Sequence, residues 1–197
     1  ALVSALMLTV FQAQLVYFLM HGRLWLMIAT FAELALVFVA SSMAAKNSPA
    51  ALPVFLVYSV LNGFTLSFVV AFYTPGTVLS AFVSSALLFF VMAAIGIFTK
   101  KDLSGMGRAL MAALVGLIIA MIVNIFLASG FFDYMISIAM VLVFSGLIAW
   151  DNQKIRYVYE QSRGQVATGW IISMALSIYL DFINLFLSIL RIFGRND

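Results

Sequence analysis

The chain contains no cysteine, and its single histidine is His21. A disulfide framework, thiol chemistry and any Cys-based or His-rich metal centre are therefore excluded. Charge is scarce as well. Only 9% of the 197 residues are Asp, Glu, Lys or Arg, whereas 65% are hydrophobic and the mean hydropathy is +1.18. Soluble domains carry about a quarter charged residues, so the composition describes an all-α integral membrane protein. At about 20 residues per crossing, the length allows six or seven spans and no soluble domain of useful size. We read residues 1–197 as a single polytopic membrane domain whose surroundings are the lipid bilayer. The formal charge of +3 and pI near 9.3 come from loop residues. A positive-inside bias explains them better than nucleic-acid binding, which we exclude.

Hydrophobic runs between polar or Gly/Pro breaks predict seven spans, at 2–21, 24–45, 51–73, 77–99, 107–129, 132–151 and 167–193. The first run has neither a basic start nor a small-residue cleavage signal and reads as a span. Because the chain opens almost directly into it, a polar N-terminal tail is expected ahead of residue 1. Short breaks at 21–23, 46–49, 74–76, 99–107 and 130–133 make consecutive helices antiparallel neighbours. The polar segment 151–169 is expected to extend the sixth helix beyond the membrane before a turn at Gly164. Loops after spans two, four and six carry Lys46, Lys100, Lys101, Arg108, Lys154, Arg156 and Arg163. Loops after spans one, three and five carry only Arg23, which predicts a cytoplasmic N-terminus. The C-terminal side stays open, because a full seventh crossing puts Arg191 and Arg195 outside and a re-entrant one keeps them inside.

Two acids lie within apolar runs. Asp181 sits inside SMALSIYLDFINLFLSILRIF, and Glu33 is about ten residues from either end of the second span. A charge at that depth costs several kcal/mol, roughly 3 by the lower scales, and makes each acid a functional-site candidate. Ser173, Ser177, Asp181, Asn184, Ser188 and Arg191 follow one another at helical spacing and form a single polar stripe. The sixth span ends on Asp151. Two carboxylates brought together in a low-dielectric site cannot both ionise cheaply, so such a pair shares a proton. Asp181 is nonetheless expected several ångström deeper than Asp151. Asn62 and Asn124, with Ser59, Thr65 and Ser67, serve either an ion path or plain interhelical hydrogen bonds. Gly63, Gly96, Gly116 and Gly146 are expected to let helices approach closely.

The segment ALSIYLDFINLFLSILRIFG, with IAWDNQKI at the end of the preceding span, resembles the transmembrane Bax inhibitor motif family, in particular its bacterial members. Glu33, NGFTLS, KKDLSGMG and VNIFL agree, and the likeness runs over essentially the whole chain. The resemblance implies six helices around a central seventh, and a pH-sensitive calcium leak in a bacterial cytoplasmic membrane. It carries a two-aspartate pH sensor onto Asp151 and Asp181, and the acid of the second helix onto Glu33. The transported calcium would then meet Asp181, Glu33, Asn62, Asn124 and Asn184 transiently, with no resident cofactor. Bacterial relatives place a latch arginine at the end of helix two. Here SSMAAKNS offers only Lys46, a point charge without a bidentate fork.

Other functions remain in competition. A proton–calcium exchanger uses the same residues with different coupling. An intramembrane aspartyl protease also needs two acids, but its GxGD context is missing from YLDF and AWDN. A rhomboid-type serine protease would need a GxSxG partner for His21. We therefore expect no enzyme. A non-transporting regulator of survival or of a membrane protease leaves the buried acids unexplained.

Overall fold

The computed structural model describes residues 2–21 and 23–196, and the side chains of 3–17 and 28–195. The side chains of His21 and Arg23, and Gly22 between them, lie outside the described residues. Every regular element among the described residues is helical. They are α1 (Leu2–Thr9), α2 (Gln12–His21), α3 (Arg23–Ala45), α4 (Ala51–Val70), α5 (Pro75–Phe98), α6 (Ser104–Leu127), α7 (Gly130–Gln161) and α8 (Thr168–Phe193), with a 3-10 turn at Gly194–Asn196. Six of them, α3 to α8, are long and apolar enough to cross a membrane.

The expected first span departs from this pattern, because it is two helices broken at Val10 and Phe11. Polar side chains take the carbonyls that a continuous helix would use. Thr9 Oγ donates to Ala5 O at 2.7 Å, and Gln12 Nε2 donates to Leu8 O at 2.7 Å. The Phe11 N–H reaches back five residues to Leu6 O. Side-chain competition of this kind breaks a helix without a Gly or Pro signal. With 8 and 10 residues, neither half alone has the length of a span.

The other ends have local causes. Asn47 takes a left-handed φ of 52°, and the Ser48 N–H bonds to Met43 O, which closes α3 in a Schellman turn. Pro75 opens α5 at the position where a missing N–H costs nothing. Ser129 caps α7 by accepting from the Phe132 N–H at 3.3 Å. Helix α7 has 32 residues, about 48 Å at the α-helical rise, so it outruns a hydrocarbon core of about 30 Å. Its surplus is the charged end, and the turn follows at Arg163 and Gly164 (φ 52° and 81°), where the sequence placed it.

Packing divides the chain into two units, residues 1–74 with 167–176, and residues 75–166 with 177–197. In the first, α1 meets α4 through Ser4 Oγ, which donates to Gly63 O at 2.6 Å. A Cβ on Gly63 would stand 2.9 Å from Val3 Cβ. Ala44, Ala51 and Ile172 form a small buried cluster there with Met43 and Phe55. In the second unit, Gly96 lets α5 touch the α7 backbone at Ala149, and Gly146 receives Leu110. Phe82 and Phe89 of α5 meet the Phe182 ring edge-on at 6.1 and 5.6 Å. Gly116 does not follow the expectation, since nothing lies within 4 Å of a Cβ placed there. The close approach on α6 is instead at Gly107, against the Trp150 ring. Large apolar side chains such as Phe98 and Phe126 are 79% and 84% exposed, as lipid-facing residues must be.

Candidate functional site

Asp151 and Asp181 lie in the second unit and are 4% and 6% exposed. Helix α7 carries Asp151 where its apolar run gives way to the charged end, while α8 places Ser177 and Asp181 one turn apart on one face. The hydroxyl of Ser177 donates to Asp151 Oδ2. Asp181 lies close enough for the charge of Asp151 to act on it, yet its buried Oδ2 has no hydrogen-bond partner. Asp181 lies one helical turn along α8 from Ser177, the residue that Asp151 engages. The cation whose field reaches Asp151 is Lys154, one turn further along α7.

Two further members of the stripe are satisfied within α8. Asn184 Nδ2 donates to Leu180 O at 2.8 Å, and Ser188 Oγ donates to Asn184 O at 2.7 Å. A buried carboxylate oxygen with no donor is therefore peculiar to Asp181 on this helix. A proton, a cation or an incoming water would satisfy it.

Glu33 belongs to the first unit and is held from α4. Thr65 Oγ donates to its Oε1, and Asn62 Nδ2 donates to its Oε2 at 3.2 Å. NGFTLS supplies both donors at i and i+3, so they share a face of α4. Asn124 works at a helix end, where its Oδ1 accepts from the Ser129 N–H at 3.2 Å while its main-chain oxygen accepts from the N–H of the left-handed Ala128. Lys46 is exposed at the C-terminal end of α3. Among the described residues no three acids or histidines converge. The sequence reading named Ser177 and Thr65 as polar residues but did not pair them with acids. Only the four-residue spacing of Ser177 to Asp181 hinted at a shared site.

Comparison with known proteins finds relatives over the whole chain. Residues 1–197 match the family described as inhibitor of apoptosis-promoting Bax1. An uncharacterized membrane protein of Streptococcus pyogenes serotype M1 is 56% identical over 197 residues, covering 100% of this chain and 86% of the relative. The protein YrjE of Lactococcus lactis is 47% identical over 194 residues, 98% of this chain and 83% of its own. The inner membrane protein YbhL of Escherichia coli strain K12 is 41% identical over 181 residues, 90% of this chain and 77% of its own.

Proposed function

The chain belongs to the family of inhibitors of apoptosis-promoting Bax1, and from that premise we propose that it is a proton-regulated calcium leak of a bacterial membrane. The observation that carries this reading is the buried Asp181 Oδ2, unpartnered and within the field of Asp151. Two carboxylates removed from water, with no cation paired to Asp181, are tolerable while at least one proton sits on the pair. Losing that proton leaves like charges facing each other. The repulsion favours a conformation in which water and cations reach the acids. Calcium is then attracted by oxygen ligands too few to trap it, which is what conduction requires. Flux should accordingly be low in acid and rise toward neutral pH. Glu33, with the Asn62 amide beside it, offers a further oxygen site in the first unit.

The test is calcium flux into liposomes holding the purified protein, followed from about pH 6 to pH 8, where a buried carboxyl pair can titrate. Asp181→Asn, which cannot ionise, is expected to flatten the pH profile. Unchanged flux and an unchanged profile in this variant would remove the mechanism. Collapsing the proton gradient separates a leak from an exchanger, because only an exchanger then loses uphill calcium movement.

A further inference from the structure

A second polar feature of the α5–α7 unit lies away from the acids. Between Phe98, which ends α5, and Ser104, which opens α6, the chain reads Thr99, Lys100, Lys101, Asp102, Leu103. Beside it, α7 sets Trp150, Gln153, Lys154 and Tyr157 at i, i+3, i+4 and i+7, a single helix face. Gln153 clamps the loop from both ends of its amide. Its Oε1 accepts from the Leu103 N–H at 2.8 Å, and its Nε2 donates to Lys101 O at 2.7 Å. Bare Gly107 lets the Trp150 ring lie against the first turn of α6. Arg156 donates from Nη1 to Ile97 O and pairs through Nε with Glu160 at 3.4 Å, fixing the end of α5. These contacts frame a recess of about 550 Å³.

Charge in the recess is mainly positive, with Lys100, Lys101, Lys154 and Arg156 against the carboxylate of Asp102. Among the described residues Lys100, Lys101 and Lys154 have no carboxylate within ion-pair distance, and Lys154 Nζ stands 5.6 Å from the centre of the Trp150 ring. Asp102, the acid in the lining, is already engaged, its Oδ1 accepting from the Ser104 N–H at 2.8 Å. Apolar residues flank the basic rim, with Phe98 79% and Met106 41% exposed where two spans end and begin. A soluble anion would have no use for that apolar border, but an acyl chain would.

We propose that this recess binds the phosphate of an anionic phospholipid, with the three lysines around the headgroup, Trp150 at the interface and the acyl chains along α5 and α6. Basic residues at a membrane surface attract anionic lipids, and here a clamped loop with two lysines and α7 with a third hold them in one place. Lys154 also reaches Asp151 with its field, but the test reads lipid binding and does not depend on calcium movement.

The chain has three tryptophans. Trp25→Phe with Trp170→Phe leaves Trp150 as the sole emitter. This protein is reconstituted in phosphatidylcholine vesicles containing a small, equal fraction of either brominated phosphatidylglycerol or brominated phosphatidylcholine. The expected result is stronger quenching by the anionic lipid. That preference should fall about fivefold for each of Lys100→Gln, Lys101→Gln and Lys154→Gln, and vanish in the triple variant. Lys100 and Lys101 are exposed, so folding should survive, with far-ultraviolet circular dichroism as the control. Equal quenching by both lipids, or a preference untouched by the triple variant, would overturn the proposal. Relief of quenching by millimolar glycerol phosphate would reassign the recess to a soluble phosphate and equally overturn it.

Discussion

Asp181 and Asp151 are both deeply buried, yet their surroundings are unequal. Ser177 serves Asp151, and nothing donates to Asp181 Oδ2. Removing the donor should therefore hurt more than its size suggests. Ser177→Ala is expected to lower stability by about 1–3 kcal/mol in thermal unfolding, the usual cost of stripping a buried acceptor of its donor. Thr65→Val tests the equivalent contact at Glu33 and should cost a similar amount, since the swap keeps shape while removing the hydroxyl. A surface acid behaves differently. The Ser104 hydroxyl, then the Ser104 N–H, hold the Asp102 carboxyl below its ordinary value of 3.8. Because its folded value is depressed, whatever stability the contact contributes is present above the unfolded value and is lost as pH falls through the folded one. A carbon-detected NMR titration should put its midpoint below 3.8 and return it toward 3.8 in Ser104→Ala.

Helices in this chain are told apart by what their small residues touch. Gly96 faces the α7 backbone at Ala149 and Gly107 faces the Trp150 ring, whereas Gly116 faces open space. Gly96→Ala should thus destabilise by about 1–3 kcal/mol or more, since backbone cannot step aside. Gly116→Ala should be neutral or stabilising by up to about 1 kcal/mol, the helix propensity gain. Unfolding of both variants in the same detergent settles the contrast. Both glycines lie within apolar runs, so sequence treated the two alike. What differs is which helix lies opposite. The break between α1 and α2 has the same character, because Gln12 looks tolerable in this run until its amide takes the Leu8 carbonyl.

At the scale of the whole molecule, apolar side chains cover the outside and basic residues gather at particular loops. Within the α5–α7 unit, Lys101 and Ser162 lie at helix ends opposite to Phe131. The chain has no native cysteine, so single-cysteine labelling is unambiguous. Lys101→Cys and Ser162→Cys should react with an impermeant thiol reagent from the cytoplasmic side, and Phe131→Cys from the other, if the basic loops orient the protein. The reverse pattern would invert the topology and place the lysine recess in the outer leaflet.

Membrane residence, the existence of α3 to α8, the turn at Gly164 and the candidacy of Asp151, Asp181 and Glu33 were all determined by the sequence alone. The reason is that transfer free energy sums along a local run, and a charge inside such a run stands out without reference to anything else. The Ser177–Asp151 bond, the Thr65 and Asn62 donors on Glu33, the orphan oxygen of Asp181 and the Gln153 clamp were decided only by the tertiary structure. Each depends on the rotation and offset of one helix against another, quantities fixed by close packing at distant positions such as Gly96 and Ala149.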